Sequence, residues 1–124
     1  MQVLFRAKEK NSNNYVIGYE YYNHVEDEYY ITHYVSGSNY KIDRTTRSIN
    51  IEDMLDSQGN EIFASLQKNG RGGDVCSVND YIDSGLEGVA IYQNYGFRID
   101  RKGKAMGISL SSRDIKIVGI QQWS

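Results

Sequence analysis

The chain has 124 residues, 40% of them hydrophobic and 24% charged, which suits one small globular domain and lies far from a disordered composition. A net charge of −2 excludes a global basic field for nucleic acid or an anionic membrane, and one cysteine excludes an internal disulfide. No run approaches the roughly 20 apolar residues that cross a bilayer, and the polar stretch from Met1 to Asn14 has no secretory core, so the expected location is cytoplasmic.

Tyrosine is the outlier, with eleven Tyr against three Phe and one Trp. Its ring packs on one side of a strand while its hydroxyl reaches water or a partner. Proline is absent, so turns fall to the twelve Gly and to Asn, Asp and Ser.

In chain order, Gln2 to Ala7 reads as a first strand and Lys8 to Asn14 as a turn. Two alternating runs follow. Tyr15, Ile17, Tyr19 and Tyr21 share one face opposite Val16, Gly18, Glu20 and Tyr22. Tyr29, Ile31, His33 and Val35 lie opposite Tyr30, Thr32, Tyr34 and Ser36. Period-two patterns rich in Tyr, Val, Ile and Thr predict strands, and the short acidic Asn23 to Glu28 predicts an antiparallel hairpin between them.

Ser36 to Asn39 marks the next turn. Tyr40 and Ile42 suggest a brief strand that ends at the polar stretch Asp43 to Ser48. Asp56 to Asn60 is a turn, and Ile62, Phe63 and Leu66 within Glu61 to Lys68 suggest one or two helical turns. Asn69 to Gly73 interrupts regular structure and divides the single domain 1–124 into two subregions, 1–69 and 74–124, joined by a Gly-rich connector. Asp74 to Val78 alternates again. Val89 to Ile99 reads as the clearest later strand, with Gly96 at a bulge or bend. Arg101 to Lys104 reads as a hairpin tip and Ile115 to Ile120 as the closing strand. The expected fold is mainly β, a small folded sheet or barrel-like domain of short antiparallel strands with little helix.

Several collinear segments resemble the YopX-like phage and prophage proteins. Phe5-Arg-Ala7 followed by Asn14-Tyr-Val-Ile-Gly18-Tyr19 resembles that family's opening, and Tyr40-Lys-Ile-Asp43 its Tyr-x-Val-Asp step. Asp56-Ser-Gln-Gly-Asn-Glu-Ile-Phe63 is similar to its Asp-Lys-Asn-Gly-Lys-Glu-Ile-Tyr/Phe run. Gly73-Asp-Val-Cys76 and Ile115-Lys-Ile-Val-Gly119-Ile120 resemble its Gly-Asp-Ile-Val tetrad and terminal strand. The order holds from Phe5 to Ile120. An insertion near Ala64 to Arg71 and the segment Asn50 to Leu55 depart from the pattern. The resemblance implies a mainly β fold and a phage or prophage origin, and it brings no catalytic residues.

No catalytic, metal-binding or cofactor-binding constellation is expected. His24 and His33 lack the spacing of a metal pair, and Cys76 in its alternating run reads as a small buried hydrophobe. Two contact surfaces stand out. Tyr19, Tyr21, Tyr29 and Tyr30 would centre a protein-contact surface on the hairpin, for a partner or a second copy, unless half of these rings build the core. Arg98, Arg101, Lys102 and Lys104, beside Tyr92, Tyr95 and Phe97, offer the alternative of a nucleic-acid contact. The expected function is that of an uncharacterised, non-enzymatic accessory protein acting by protein contact or self-assembly.

Overall fold

The computed structural model describes residues 3–78, 86–93, 96–101, 104–107 and 115–122. Among them there are ten strands and no helix. They are β1 (Phe5–Glu9), β2 (Tyr15–Asn23), β3 (Glu28–His33), β4 (Asn39–Leu55) and β5 (Glu61–Ser65), then β6 (Asp74–Val78), β7 (Leu86–Gln93), β8 (Gly96–Arg101), β9 (Lys104–Gly107) and β10 (Ile115–Ile120). The mainly β, partly barrel-like architecture expected from the alternating runs is the one observed.

All ten strands belong to one mixed sheet. The first four run in order, and β1 pairs with β4 as well as β2, which closes them into a ring. The sheet continues from β4 through β5, β7 and β6 to β10, while β8 and β9 extend from β7. One pairing, β5 with β7 at Ser65 and Ile91, is parallel, and the rest are antiparallel.

Gly18 makes the ring possible. It pairs with Phe5 of β1 and with His33 of β3, at the corner where β2 passes from one partner to the other. A Cβ there would lie 1.8 Å from the Thr32 carbonyl oxygen, so only glycine allows so close an approach. A ring this small is filled by side chains. Ala7, Val16, Ile31 and Ile42 are buried inside it, with Phe5, Tyr29 and Tyr40 packed around them. A second cluster, Ile62, Ala64, Cys76, Ala90, Ile99 and Ile115, fills the other half of the sheet. Each fully buried isoleucine contributes about 1.5–3 kcal/mol.

Three sequence expectations are corrected. Glu61 to Lys68 holds no helical turn: β5 is a strand whose Ile62, Phe63, Ala64 and Ser65 are all buried. A strand covered on both faces loses the alternation that marks strands in sequence. The strand at Tyr40 does not stop before Asp43, because β4 runs on to Leu55. Its polar stretch is an irregularity: β1 advances from Arg6 to Lys8 while β4 runs from Ser48 back to Asp43. Thr46 supports this bulge by accepting a hydrogen bond from the Lys8 N–H and donating one to the Asp43 carbonyl. Finally, Val89 to Ile99 is two antiparallel strands, with Gln93 paired to Gly96.

The predicted hairpin of Tyr15 to Tyr22 with the second tyrosine run is β2 and β3, closed by the pair Asn23 and Glu28. The tip at Arg101 to Lys104 is likewise a pairing of β8 with β9. Gly70, Gly72 and Gly73 are buried, and a Cβ on Gly72 would lie 1.9 Å from the Thr46 carbonyl oxygen. Among the described residues no helix is long and apolar enough to cross a membrane.

Candidate functional site

Pairing and alternation split the tyrosines of β2 and β3 between two faces. Tyr21 pairs with Tyr30 and Tyr19 with Thr32, and these side chains point away from the ring. Tyr22 pairs with Tyr29, and these point to the ring interior, where Tyr29 packs against the core. Of the four tyrosines read as one contact surface, Tyr19, Tyr21 and Tyr30 therefore share the outer face, and Tyr29 lies on the opposite side.

The outer face is ordered. Tyr21 and Tyr30 stack with ring centroids 5.3 Å apart and planes 11° apart. Tyr19 and Tyr21 are 42% and 39% exposed, and Tyr34 beyond the end of β3 is 52% exposed. The Tyr30 hydroxyl donates to Glu26 in the β2–β3 turn, which pushes its pKa up to about 12. On the inner face the Tyr22 hydroxyl donates to Asp27, with the same direction of shift. Both contacts tie a strand ring to the acidic turn.

The inner face carries groups that the sequence reading passed over. Glu20, with its side chain 8% exposed, lies between Arg47 at 2.5 Å and Arg44 at 3.8 Å. The Arg44 guanidinium carbon sits 3.7 Å from the Tyr29 ring centroid and that of Arg47 5.4 Å from Phe5. Both arginines belong to the irregular part of β4, where a bulge re-aims side chains. Nothing local in the polar run Asp43 to Ser48 announces this. The pairing of β4 with β1 and β3 creates it.

A third constellation joins the two halves of the sheet. Arg6 on the outer side of β1 meets Asp74 of β6 at 2.9 Å and donates a second bond to the Gly72 carbonyl at 2.9 Å. Asp74 also accepts the Phe63 N–H at 2.8 Å. Burial raises the Asp74 carboxyl above its ordinary range although Arg6 pulls the other way. Arg6 Nε is buried without a hydrogen-bond partner, and the Arg6 guanidinium carbon lies 4.7 Å from the Phe63 ring centroid.

The two histidines and the cysteine make local contacts. His33 Nδ1 accepts the N–H groups of Val35 and Ser36 and so shapes the turn after β3. His24 rests edge-on against Tyr22. Cys76 is a fully buried core residue whose thiol is pushed up to about 12, first by burial. Among the described residues no three His, Cys, Asp or Glu side chains are grouped to hold a metal ion. Arg98, Arg101 and Lys104 lie on β8 and β9, but their side chains fall outside the described residues, as does the whole of Lys102.

No family model matches the chain, and no curated protein matches it.

Proposed function

We propose that this chain is a non-catalytic accessory protein of phage or prophage type, working in the bacterial cytoplasm by protein–protein contact. Its contact surface is the outer face of the β2–β3 hairpin. The observation that carries the reading is the stacked pair Tyr21–Tyr30 beside the exposed Tyr19. Large rings already held in place lose little rotamer freedom on binding, and tyrosine joins apolar area to a hydroxyl that water or a partner can satisfy. Contact surfaces are enriched in such residues and poor in charge at their centre.

Membership of the YopX-like family belongs to the same proposal and rests on the collinear motifs. Two of those motifs have clear structural roles. Asp56 caps its turn by accepting the N–H groups of Gln58 and Asn60, with Gly59 at φ 83°. Gly73-Asp74 supplies the carboxylate that holds Arg6.

The test compares the wild-type chain with a Tyr19→Ser, Tyr21→Ser variant as immobilised baits for the same chain in solution and for host-cell extract. Retention of the same chain, or of one defined protein, that drops about tenfold in the variant supports the reading. Equal retention by both baits, or none by either, contradicts it.

A further inference from the structure

The geometry points to a second site, at the mouth of the strand ring, for a nucleoside phosphate unit, with single-stranded nucleic acid as its carrier. Its inner-face side chains Glu20, Tyr22 and Tyr29 point to the other side of β2 and β3 from the tyrosine face, and Tyr21 borders both.

The mouth is a recess of about 290 Å³ lined by Phe5, Glu20, Tyr21, Tyr22, Tyr29, Arg44 and Arg47. Its charge is unbalanced, since two guanidinium groups share one carboxylate and the Arg44 contact is long. The chain as a whole is acidic, so this surplus is local. Among the described residues Arg44 makes no side-chain hydrogen bond, and Arg47 uses only its Nε. The unused N–H groups are therefore available, and a guanidinium offers them in a fixed fork that matches a phosphate. Arg44 is 47% exposed and its guanidinium carbon sits over the Tyr29 ring, so the side of its plane away from Tyr29 is offered to the recess. A base laid on that plane would continue the stack, and both guanidinium planes and aromatic rings are used in this way to hold unpaired bases.

An acidic peptide would satisfy the arginine donors but leave the rings and the guanidinium plane unused. A duplex would offer phosphates with its base faces already stacked. A planar aromatic body joined to a phosphate uses both sets of groups at once, and the recess has room for one such unit. Glu20 fits this role as well: its carboxylate holds Arg47 in place and keeps the empty site from carrying two unpaired cations in a partly buried recess.

The experiment is fluorescence anisotropy of a labelled oligothymidylate of about eight nucleotides, at low and raised salt. Unlabelled thymidine monophosphate, the duplex of the same length and polyglutamate serve as competitors. Binding that weakens with salt, falls about tenfold in Arg44→Gln and further in Arg44→Gln with Arg47→Gln is the expected result. Arg44→Lys should recover the salt-dependent part and lack the stacking part. Displacement by the monophosphate at comparable nucleotide concentration assigns the site to free nucleotides, and weaker displacement assigns it to a strand. Tyr19→Ser, which leaves the recess lining intact, should leave this binding unchanged, whatever it does to protein contact. Absence of binding, binding unchanged in the exposed-site variant Arg44→Gln, or equal displacement by polyglutamate would overturn the inference.

Discussion

The Arg6 guanidinium on β1 and the Asp74 carboxylate on β6 meet at 2.9 Å with side chains only 9% and 2% exposed, and so tie the strand ring to the rest of the sheet. Removing one partner of such a pair strands the other charge. Asp74→Asn is expected to lower stability by about 3–5 kcal/mol in chemical denaturation. Arg6→Met with Asp74→Asn should cost less than Asp74→Asn alone, because the orphaned cation is gone. A double variant less stable than the single one would refute this account of the pair.

Gly18→Ala tests the corner of the ring. The new methyl would press on the Thr32 carbonyl, which is backbone and cannot swing aside. A loss of about 3 kcal/mol is expected, at the upper end of ordinary overpacking. Gly37→Ala is the control: its added Cβ meets nothing within 4 Å, and the cost there is that of φ 74° alone. Thermal melts of the two variants should therefore separate clearly, with Gly18→Ala the lower.

Acid should weaken the fold through Asp43 and Asp56. Burial raises both carboxyls, yet hydrogen bonds outweigh it: Thr45 lowers Asp43, and Asn60, Ile117 and Gln58 lower Asp56. Groups whose pKa falls on folding contribute stability above their unfolded pKa, and that contribution is lost as pH drops through the folded value. Urea midpoints from about pH 7 down to about pH 3 should therefore decline less in Asp56→Asn than in the wild type.

Tyr30 should be among the last tyrosines to ionise. Its hydrogen bond to Glu26 is the main cause of a pKa near 12. Absorbance titration of the phenolate should show the Tyr30 component moving down in Glu26→Gln, and a titration curve unchanged by that substitution would remove the bond.

The β2–β3 hairpin was legible because each strand has one side more polar than the other, so period two survives in the sequence. The register then assigns partners such as Tyr21 and Tyr30. β5 was not legible, since Ile62, Phe63 and Ala64 are buried together and leave no alternation. The division of Val89 to Ile99 was concealed because apolar residues continue on both sides of the reversal, with Asn94 and Gly96 as the turn-favouring residue types between them. Neither the Arg6–Asp74 pair nor the Arg44–Glu20–Arg47 group has a local pattern. Each depends on strands far apart in the chain being brought together, and only the fold supplies that.

The central claim is that the outer tyrosine face of the hairpin is a protein-contact surface, and sedimentation velocity over a wide concentration range, alone and with any protein retained on the bait, tests it most directly. The account predicts a faster, concentration-dependent species for the wild type that Tyr19→Ser with Tyr21→Ser abolishes. Identical monomer boundaries for both chains under every condition would contradict it.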